Sequence, residues 1–250
     1  MYDIHNHVLP HVDDGAPNLE VALRMLRIAA SQGITHVACT PHANERDGED
    51  SGRLFQSAFD ELKEAATSAD IAVHLALASE LMLGADILRT LTRPFGTYHG
   101  AGRYCLLEFP TETPFEIILN VVRSVRRMGI WCVIPHFERF SRAQRRPDQP
   151  HALRAEGAVL TLDAGSLVGQ FGPVITRRAR QLLRWNAVDL LASDAHDDAG
   201  HGFYLEAGQD AAAQIVGDQV ARRFVLENPK KVWDGVPWRE ETEAARTSEG

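Results

Sequence analysis

Histidine and carboxylate side chains recur in this sequence in short groups whose composition suits metal binding. The first group lies within fifteen residues of the start, where His5 and His7 are followed by Asp13 and Asp14. Residues two apart in a strand point to the same side, so both imidazoles can face one point. Two imidazoles and a carboxylate suit a borderline divalent cation such as zinc, manganese or iron. A surface loop rich in His and Asp is the alternative unless the remaining chain contains matching groups.

Matching groups follow, because most of the predicted strands end in a metal-type residue. Including the first group, the candidate metal ligands are five His, two Asp and two Glu, namely His5, His7, Asp14, His42, Glu80, Glu108, His136, Asp194 and His196. One catalytic ion takes about three protein ligands, so this set predicts two or three ions that share a bridging carboxylate. Mixed nitrogen and oxygen donors without thiolates favour manganese, iron or zinc over magnesium or calcium.

The elements that must position these ligands alternate regularly between apolar strand-like runs and amphipathic helical patterns. Seven strands are predicted, at the start of the chain and over 35–40, 71–78, 104–107, 130–134, 158–162 and 188–192. This alternation predicts an α/β fold with a parallel sheet covered on both faces, either open or closed into a barrel. A barrel would gather the carboxyl ends of its strands, and with them the candidate ligands, at one mouth.

Composition limits the class of protein further. A chain of 250 residues with 44% hydrophobic residues suffices for one large α/β domain or two small ones. The formal charge of −8 argues against nucleic-acid binding, which normally uses a basic surface. No apolar run approaches the ~20 residues of a membrane span, and no signal peptide is recognised. Together with three widely spaced cysteines, expected to be reduced core thiols, this predicts a cytoplasmic protein without membrane insertion.

Arg139 is the one candidate catalytic residue that is not a candidate metal ligand. It lies three residues after His136, and its planar guanidinium could bind the non-bridging oxygens of a phosphate. The alternative is an ion pair with a neighbouring acid. A cysteine-dependent phosphatase is not supported, because Cys132 precedes Arg139 by seven positions without an intervening Gly-rich phosphate loop.

Four residues near the candidate ligands keep open roles. Glu138 could support a metal ligand or be a solvated charge. His11 and Asp13 lie close enough in sequence to the first group to support its ligands, and His201 could border the mouth.

As a set, the motifs resemble the PHP superfamily. They are His-x-His at 5–7, Thr-Pro-His at 40–42, Glu80, Glu108, Pro-His-x-Glu-Arg at 135–139 and Ser-Asp-Ala-His at 193–196. The sequence His-Val-Leu-Pro-x-Val-Asp-Asp-Gly at 7–15 and Glu-Asn-Pro-Lys-Lys at 227–231 resemble one branch in particular. That branch contains the bacterial metal-dependent protein tyrosine phosphatases encoded with capsule and exopolysaccharide genes, and the resemblance covers roughly residues 1 to 235.

This resemblance implies a distorted seven-stranded (β/α) barrel with a trinuclear, usually manganese, centre at the mouth. Carried over to this sequence, the ion-binding sets would be His5, His7, Glu80 and Asp194; Glu80, Glu108 and His136; and Asp14, His42 and His196. Residues 1–236 would form the phosphatase domain, and the polar segment 237–250 is expected to be a poorly ordered tail.

The implied activity is hydrolysis of phosphotyrosine by a metal-activated hydroxide. The implied partner is the regulatory tyrosine autokinase of polysaccharide export. Two alternatives stay open: a small-molecule phosphoesterase, such as a histidinol-phosphate or nucleotide phosphatase, and a binding module whose metals only hold the fold. The last is disfavoured because structural metal sites are closed, whereas this one would face an open mouth.

Two segments depart from the pattern of this branch. The segment after His42 is acidic, where some members carry basic residues, and the segment after His196 lacks a common Arg-Pro-Pro sequence. Both border the predicted mouth without replacing a ligand. They therefore concern substrate preference rather than the chemistry.

Overall fold

A computed structural model of the chain describes residues 1–142 and 146–239. The strands are β1 (Tyr2–Asn6), β2 (His36–Cys39), β3 (His42–Ala43), β4 (His74–Leu77), β5 (Glu80–Met82), β6 (Tyr104–Glu108), β7 (Trp131–Ile134), β8 (Ala158–Asp163) and β9 (Leu190–Ala192). The helices are α1 (Leu19–Ser31), α2 (Glu49–Ser68), α3 (Ile87–Thr90), α4 (Phe115–Arg127), α5 (Asp148–Ala155), α6 (Ala164–Leu167), α7 (Gly172–Arg184), α8 (Leu205–Val216), α9 (Asp218–Val225) and α10 (Glu227–Asp234). Short 3₁₀ turns occur at Tyr98–Gly100 and Phe137–Arg139.

All strand pairs are parallel, as predicted, and they form two sheets. One sheet has the order β1-β2-β4, and the other has the order β3-β5-β6-β7-β8-β9. The predicted count of seven strands is not confirmed, and the pairing among the described residues does not close into one barrel sheet. The fold is therefore a mixed α/β fold with parallel sheets.

Beyond two of the seven predicted runs, 35–40 and 71–78, the structure has an additional short strand, β3 and β5 respectively. Pro41 separates β2 from β3, because proline has no N–H to donate to a sheet. Ala78 and Ser79 separate β4 from β5. Beyond these breaks the chain pairs in the second sheet, where His42 lies opposite Glu80. The breaks therefore bring two candidate ligands side by side.

The backbone after β9 is hydrogen-bonded to the end of β1. The amide of Asp194 donates to the carbonyl of His5 at 2.9 Å, and the amide of His7 donates to the carbonyl of Ala195 at 2.8 Å. These bonds hold the two histidines of the first group next to Asp194, although about 190 residues of chain separate them.

A buried side-chain network reinforces this junction. The fully buried carboxylate of Asp3 accepts hydrogen bonds from the amide of Ser193 at 2.9 Å and from its hydroxyl at 2.6 Å. Burial raises the pKa of Asp3, against the lowering effect of these two hydrogen bonds. Sequence reasoning missed Asp3, because one acidic residue inside a strand has no spacing pattern.

The helices pack through apolar faces onto the sheets. In α1, Asn18 caps the first turn by accepting from the amide of Val21 at 3.0 Å, and Met25 and Leu26 are fully buried. Burying such a side chain contributes about 1.5–3 kcal/mol. The three predicted core thiols, at positions 39, 105 and 132, are buried and free.

The described end of the chain packs against the body of the molecule. Trp238 is 7% exposed, and the ammonium of Lys231 lies 5.3 Å from its ring. Most of the predicted tail, residues 240–250, lies outside the described residues. Within 1–142 and 146–239, no helix has both the length and the apolar character needed to cross a membrane.

Candidate metal centre

Two imidazoles and two carboxylates converge at the centre of the site from three places in the fold: the end of β1, the start of β5 and the residues just after β9. The Nε2 atoms of His5 and His7 are 3.4 Å apart. They lie 3.2 and 3.4 Å from Oδ1 of Asp194, and each lies 3.3 Å from a carboxylate oxygen of Glu80. All four residues are at most 3% exposed. Buried carboxylates with facing imidazole nitrogens are a donor set that a divalent cation fits.

Glu80 contacts histidines on both of its oxygens. Its Oε1 lies 3.1 Å from Nε2 of His136, and its Oε2 lies 3.0 Å from Nδ1 of His42. Oε1 of Glu108 is 3.5 Å from the same nitrogen of His136. Burial acts to raise the pKa of Glu80, but the surrounding imidazoles, His5 foremost, outweigh it and hold the pKa well below its usual range. This geometry is suited to a carboxylate that bridges two cations.

A third group lies on the solvent side of the site. Oδ1 of Asp14 lies 3.5 Å from Nε2 of His42 and 3.6 Å from Nε2 of His196. Asp14 has 71% of its side chain exposed, so this group forms the open edge. The ring of His201 stacks on that of His196 at 4.4 Å, and its Nε2 lies 3.7 Å from Oδ2 of Asp194.

All nine sequence-predicted ligands therefore lie in one connected cluster. Ligand atoms lie within 4.8 Å of one another in three groups that contain eight of them: His5, His7, Glu80 and Asp194; His7, Asp14, His42 and His196; and His42, Glu80 and Glu108. A fourth group consists of Asp194, His196 and His201. His201 thus borders the site, as its sequence position suggested.

Hydrogen bonds fix the tautomers of two candidate ligand histidines. Nδ1 of His7 lies 2.7 Å from Oδ2 of Asp13, and Nδ1 of His196 donates to the carbonyl of Asp194 at 2.7 Å. With Nδ1 protonated, each Nε2 keeps its lone pair for a cation. Asp13 therefore supports a ligand, whereas His11 is exposed.

Unusual backbone conformations aim two of the strand-end ligands. His136, two residues after the end of β7, has φ 32°, and Asp194, two residues after the end of β9, has φ 52°. Both lie in the left-handed region, which L-residues with side chains seldom occupy and which is a feature of functional sites. Sharp turns at these two residues follow the strand ends and direct their side chains into the cluster of candidate ligands.

Arg139 is anchored between two carboxylates. Its Nη2 donates to Oδ2 of Asp163 and to Oδ2 of Asp194, both at 2.8 Å, and its Cζ lies 4.6 Å above the ring of Phe171. Its side chain is 24% exposed. Asp163 ends β8 in the same phase as the other strand-end ligands, and this signal could have identified it from the sequence.

Glu138 is buried behind the arginine and is not a solvated charge. Its Oε1 accepts from the amide of Asp163 at 3.2 Å and from the hydroxyl of Ser166. Burial raises its pKa to about 7, although the neighbouring guanidinium acts to lower it. The carboxyl therefore supports the segment that carries Asp163 rather than lying in the open mouth.

The sequence as a whole matches a known family. A model of the family described as "Capsular polysaccharide synthesis, CpsB/CapC" matches residues 1–234. The chain is 28% identical over 206 residues to the tyrosine-protein phosphatase YwqE of Bacillus subtilis, covering 82% of this chain and 81% of that protein. It is 24% identical over 237 residues to the tyrosine-protein phosphatase CpsB of Streptococcus pneumoniae, covering 93% and 98%.

Solved structures with a similar fold agree with this match. A crystal structure from work on YwqE of Bacillus subtilis and CpsB of Streptococcus pneumoniae, described as unique metal-dependent tyrosine phosphatases, superposes with a TM-score of 0.87 at 25% identity. It covers 96% of this chain and 97% of that chain. The lactonase Lmo2620 of Listeria monocytogenes superposes with a TM-score of 0.55 at 13% identity, over 96% and 95%. This second similarity concerns the fold alone.

Proposed function

The chain belongs to the CpsB/CapC capsular polysaccharide synthesis family, and on this basis we propose that it is a metal-dependent protein-tyrosine phosphatase. The observation that carries the proposal is the convergence of imidazole and carboxylate donors from separate strand ends on Glu80 and Asp194. Relatives named tyrosine-protein phosphatases, and a metal-dependent structural neighbour, support the same reading.

The donors form three proposed sets, each suited to one ion, and the first two share Glu80. The proposed sets are His5, His7, Glu80 and Asp194; Glu80, Glu108 and His136; and Asp14, His42 and His196. Glu80 would belong to both of the first two sets, because its oxygens lie near His5 and His7 of the first and His136 of the second. Imidazole and carboxylate donors without thiolate suit manganese, with iron or zinc as further candidates. We assign manganese, in two or three ions, as the resident metal.

When bound, divalent ions lower the pKa of water and neutralise phosphate oxygens. The overall reaction adds water to phosphorus and breaks the bond to the tyrosine oxygen, which leaves as the phenol. Arg139 is the proposed substrate-binding residue. Its Nη2 is held by Asp163 and Asp194, and its remaining donors can bind the non-bridging phosphate oxygens, where charge builds during transfer.

A thiolate mechanism does not compete with this assignment. Cys39 is fully buried, and burial raises the pKa of its thiol far above the range of a reactive cysteine. The hydrogen bond with Cys105, together with burial, likewise raises the pKa of Cys132, which lies inside β7. Neither sulfur can serve as the exposed, ionised nucleophile that cysteine-dependent phosphatases need.

Family membership supports the finer assignments that we propose. The proposed substrate is the phosphorylated tyrosine autokinase of polysaccharide export, and the proposed role is regulation of capsule or exopolysaccharide synthesis in the cytoplasm. The two parallel sheets, joined at β1 and β9, correspond to a distorted barrel whose mouth holds the site.

Turnover of defined substrates by the purified protein tests the proposal. We expect hydrolysis of a phosphotyrosine peptide with manganese, loss of it in EDTA, and much slower hydrolysis of histidinol phosphate and nucleotides. Faster turnover of a small phosphate ester than of the peptide would show a small-molecule phosphoesterase. A metal-loaded, folded protein that hydrolyses none of these substrates would contradict the enzymatic assignment.

A further inference from the structure

A row of arginines without acidic partners lies on α7. The helix contains four Arg and no Asp or Glu. Three of the arginines lie three, four and seven positions apart, so they share one face of the helix, and all three are exposed: Arg177, Arg180 and Arg184. In the described parts of the chain, no carboxylate oxygen lies within 4.0 Å of their guanidinium groups.

Arg180 donates to the carbonyl of Leu167 at 3.3 Å, but the row has no acidic partner, whereas some other arginines of this acidic chain are paired. Arg123 lies 2.7 Å from Glu156, and Arg154 lies 2.8 Å from Asp189. Like charges three and four residues apart destabilise a helix, so an uncompensated row costs stability. Such a row is expected where an external anionic partner supplies the missing charge.

The row lines a groove that opens beside the metal centre. The groove has a volume of about 530 Å³ and extends from Gly169 and Gly172 along α7, with no acidic residue in its lining. These two glycines flank Phe171, whose ring lies 4.6 Å from Cζ of Arg139 and 5.3 Å from the ring of His201. One end of the groove is therefore next to the residue proposed to bind the phosphate.

We propose that this α7 groove binds an acidic segment of the substrate protein, close in sequence to the phosphotyrosine. The proposal rests on the phosphatase function proposed above and specifies its substrate class. At 1.5 Å per helical residue, Arg177 and Arg184 lie about 9 and about 20 Å beyond Phe171. An extended chain spans about 3.3 Å per residue, so acidic residues roughly three to six positions from the phosphotyrosine can reach the row.

The test compares two charge-reversed double variants. Arg180→Glu with Arg184→Glu changes the groove, and Arg222→Glu with Arg223→Glu, at exposed positions of α9, makes the same change in net charge elsewhere. Each protein is assayed on a phosphotyrosine peptide with Glu at positions three to six, on the same peptide with Gln there, and on p-nitrophenyl phosphate.

We expect the groove variant to lose about tenfold in kcat/KM on the acidic peptide, because two exposed ion pairs, each worth about 1.5- to 5-fold, are reversed. The loss should shrink as salt rises. Turnover of the Gln peptide and of p-nitrophenyl phosphate should change less than twofold. The control variant should match the wild type on all three substrates.

Several outcomes would overturn the groove assignment. An equal loss on both peptides, or the same loss in the control variant, would show a general charge effect. Loss of binding to anionic phosphatidylglycerol vesicles without a change in peptide preference would assign the row to a lipid surface. If the wild type hydrolyses no phosphotyrosine, the phosphatase proposal fails. Fluorescence anisotropy with the unphosphorylated acidic peptide then tests the groove separately, and equal affinity of the wild type and the groove variant would exclude it.

Discussion

Replacing Arg139 with alanine separates the two roles that its position allows. In the structure, one nitrogen of the guanidinium is shared by Asp163 and Asp194, and the other donors are directed by this anchor. Arg139→Ala therefore removes a proposed phosphate ligand, leaves the buried carboxyl of Asp163 without its cation and removes one of the cationic neighbours of Asp194. Loss of the first function lowers turnover, whereas loss of the second lowers stability.

The size of each effect follows from the local environment. Losing a preorganised donor at the transferring phosphoryl group typically costs on the order of 10²–10³ in rate. Breaking a buried ion pair by removing one partner costs about 3–5 kcal/mol. We expect the lower end, about 3 kcal/mol, because burial already raises the pKa of Asp163 well above its usual value and the carboxyl can take up a proton. Arg139→Lys keeps the charge without the planar fork, so its turnover and its stability should lie between those of the wild type and Arg139→Ala.

A second substitution distinguishes the two roles. Asp163→Asn keeps an oxygen that can accept from the amide of Gly165, a 2.8 Å bond in the wild type, but removes the charge facing Arg139. Combined with Arg139→Ala, it should restore much of the lost thermal stability while turnover of a phosphotyrosine peptide stays low. Metal content, measured by elemental analysis, should equal that of the wild type throughout. Recovery of turnover together with stability would show that Arg139 only neutralises Asp163.

Three further predictions concern the metals and the pH dependence of stability. EDTA should abolish activity, and manganese should restore it. Iodoacetamide should leave turnover of the metal-loaded enzyme nearly unchanged, because all three thiols are buried. Loss of all turnover in enzyme that is alkylated but still folded and metal-loaded would contradict this. Glu80→Gln should lower the metal content by more than one ion per chain, whereas His196→Ala should lower it by one; a full complement in the first variant would refute the bridge. Burial raises the pKa of Glu138 to about 7, so the folded state holds a proton that the unfolded state has released, and stability should fall as the pH rises from about 5 to 8. In thermal melts Glu138→Gln should flatten this decline, and an unchanged slope would show that other groups cause it.

The convergence of the candidate metal ligands could be predicted because of one topological rule. The carboxyl ends of parallel strands lie at the same edge, so a His, Asp or Glu that ends a strand is placed near every other residue of that kind. Three of these residues are far apart in sequence: His42, Glu80 and His136. In the structure Oε2 of Glu80 lies 3.0 Å from Nδ1 of His42, and Oε1 lies 3.1 Å from Nε2 of His136. The strand phase, which is visible in the sequence, was sufficient to predict this convergence.

The short strands β3 and β5 could not be predicted in the same way. The runs 35–40 and 71–78 each contain one strand, β2 and β4, but composition does not show that the chain changes sheet just beyond each run. The change is set by long-range pairing, in which the amide of Ala78 donates to the carbonyl of Cys39 and that of Glu80 to the carbonyl of Pro41, both at 3.0 Å. Such a register depends on a second segment, which periodicity within the first does not describe.

Asp13 and Asp14 show why residue type alone cannot assign roles in a site. Both follow the first pair of histidines. An aspartate at either position could bind a metal or support a ligand, and the sequence would look the same in both cases. The turn decides between them, because a Cβ on Gly15 would lie 2.0 Å from the carbonyl oxygen of His7, so only glycine permits this close return of the chain. The return turns Asp13 inward, onto Nδ1 of His7, and leaves Asp14 outward, within 3.5 Å of His42. Two adjacent carboxylates thus take different roles through backbone geometry that only the folded chain contains.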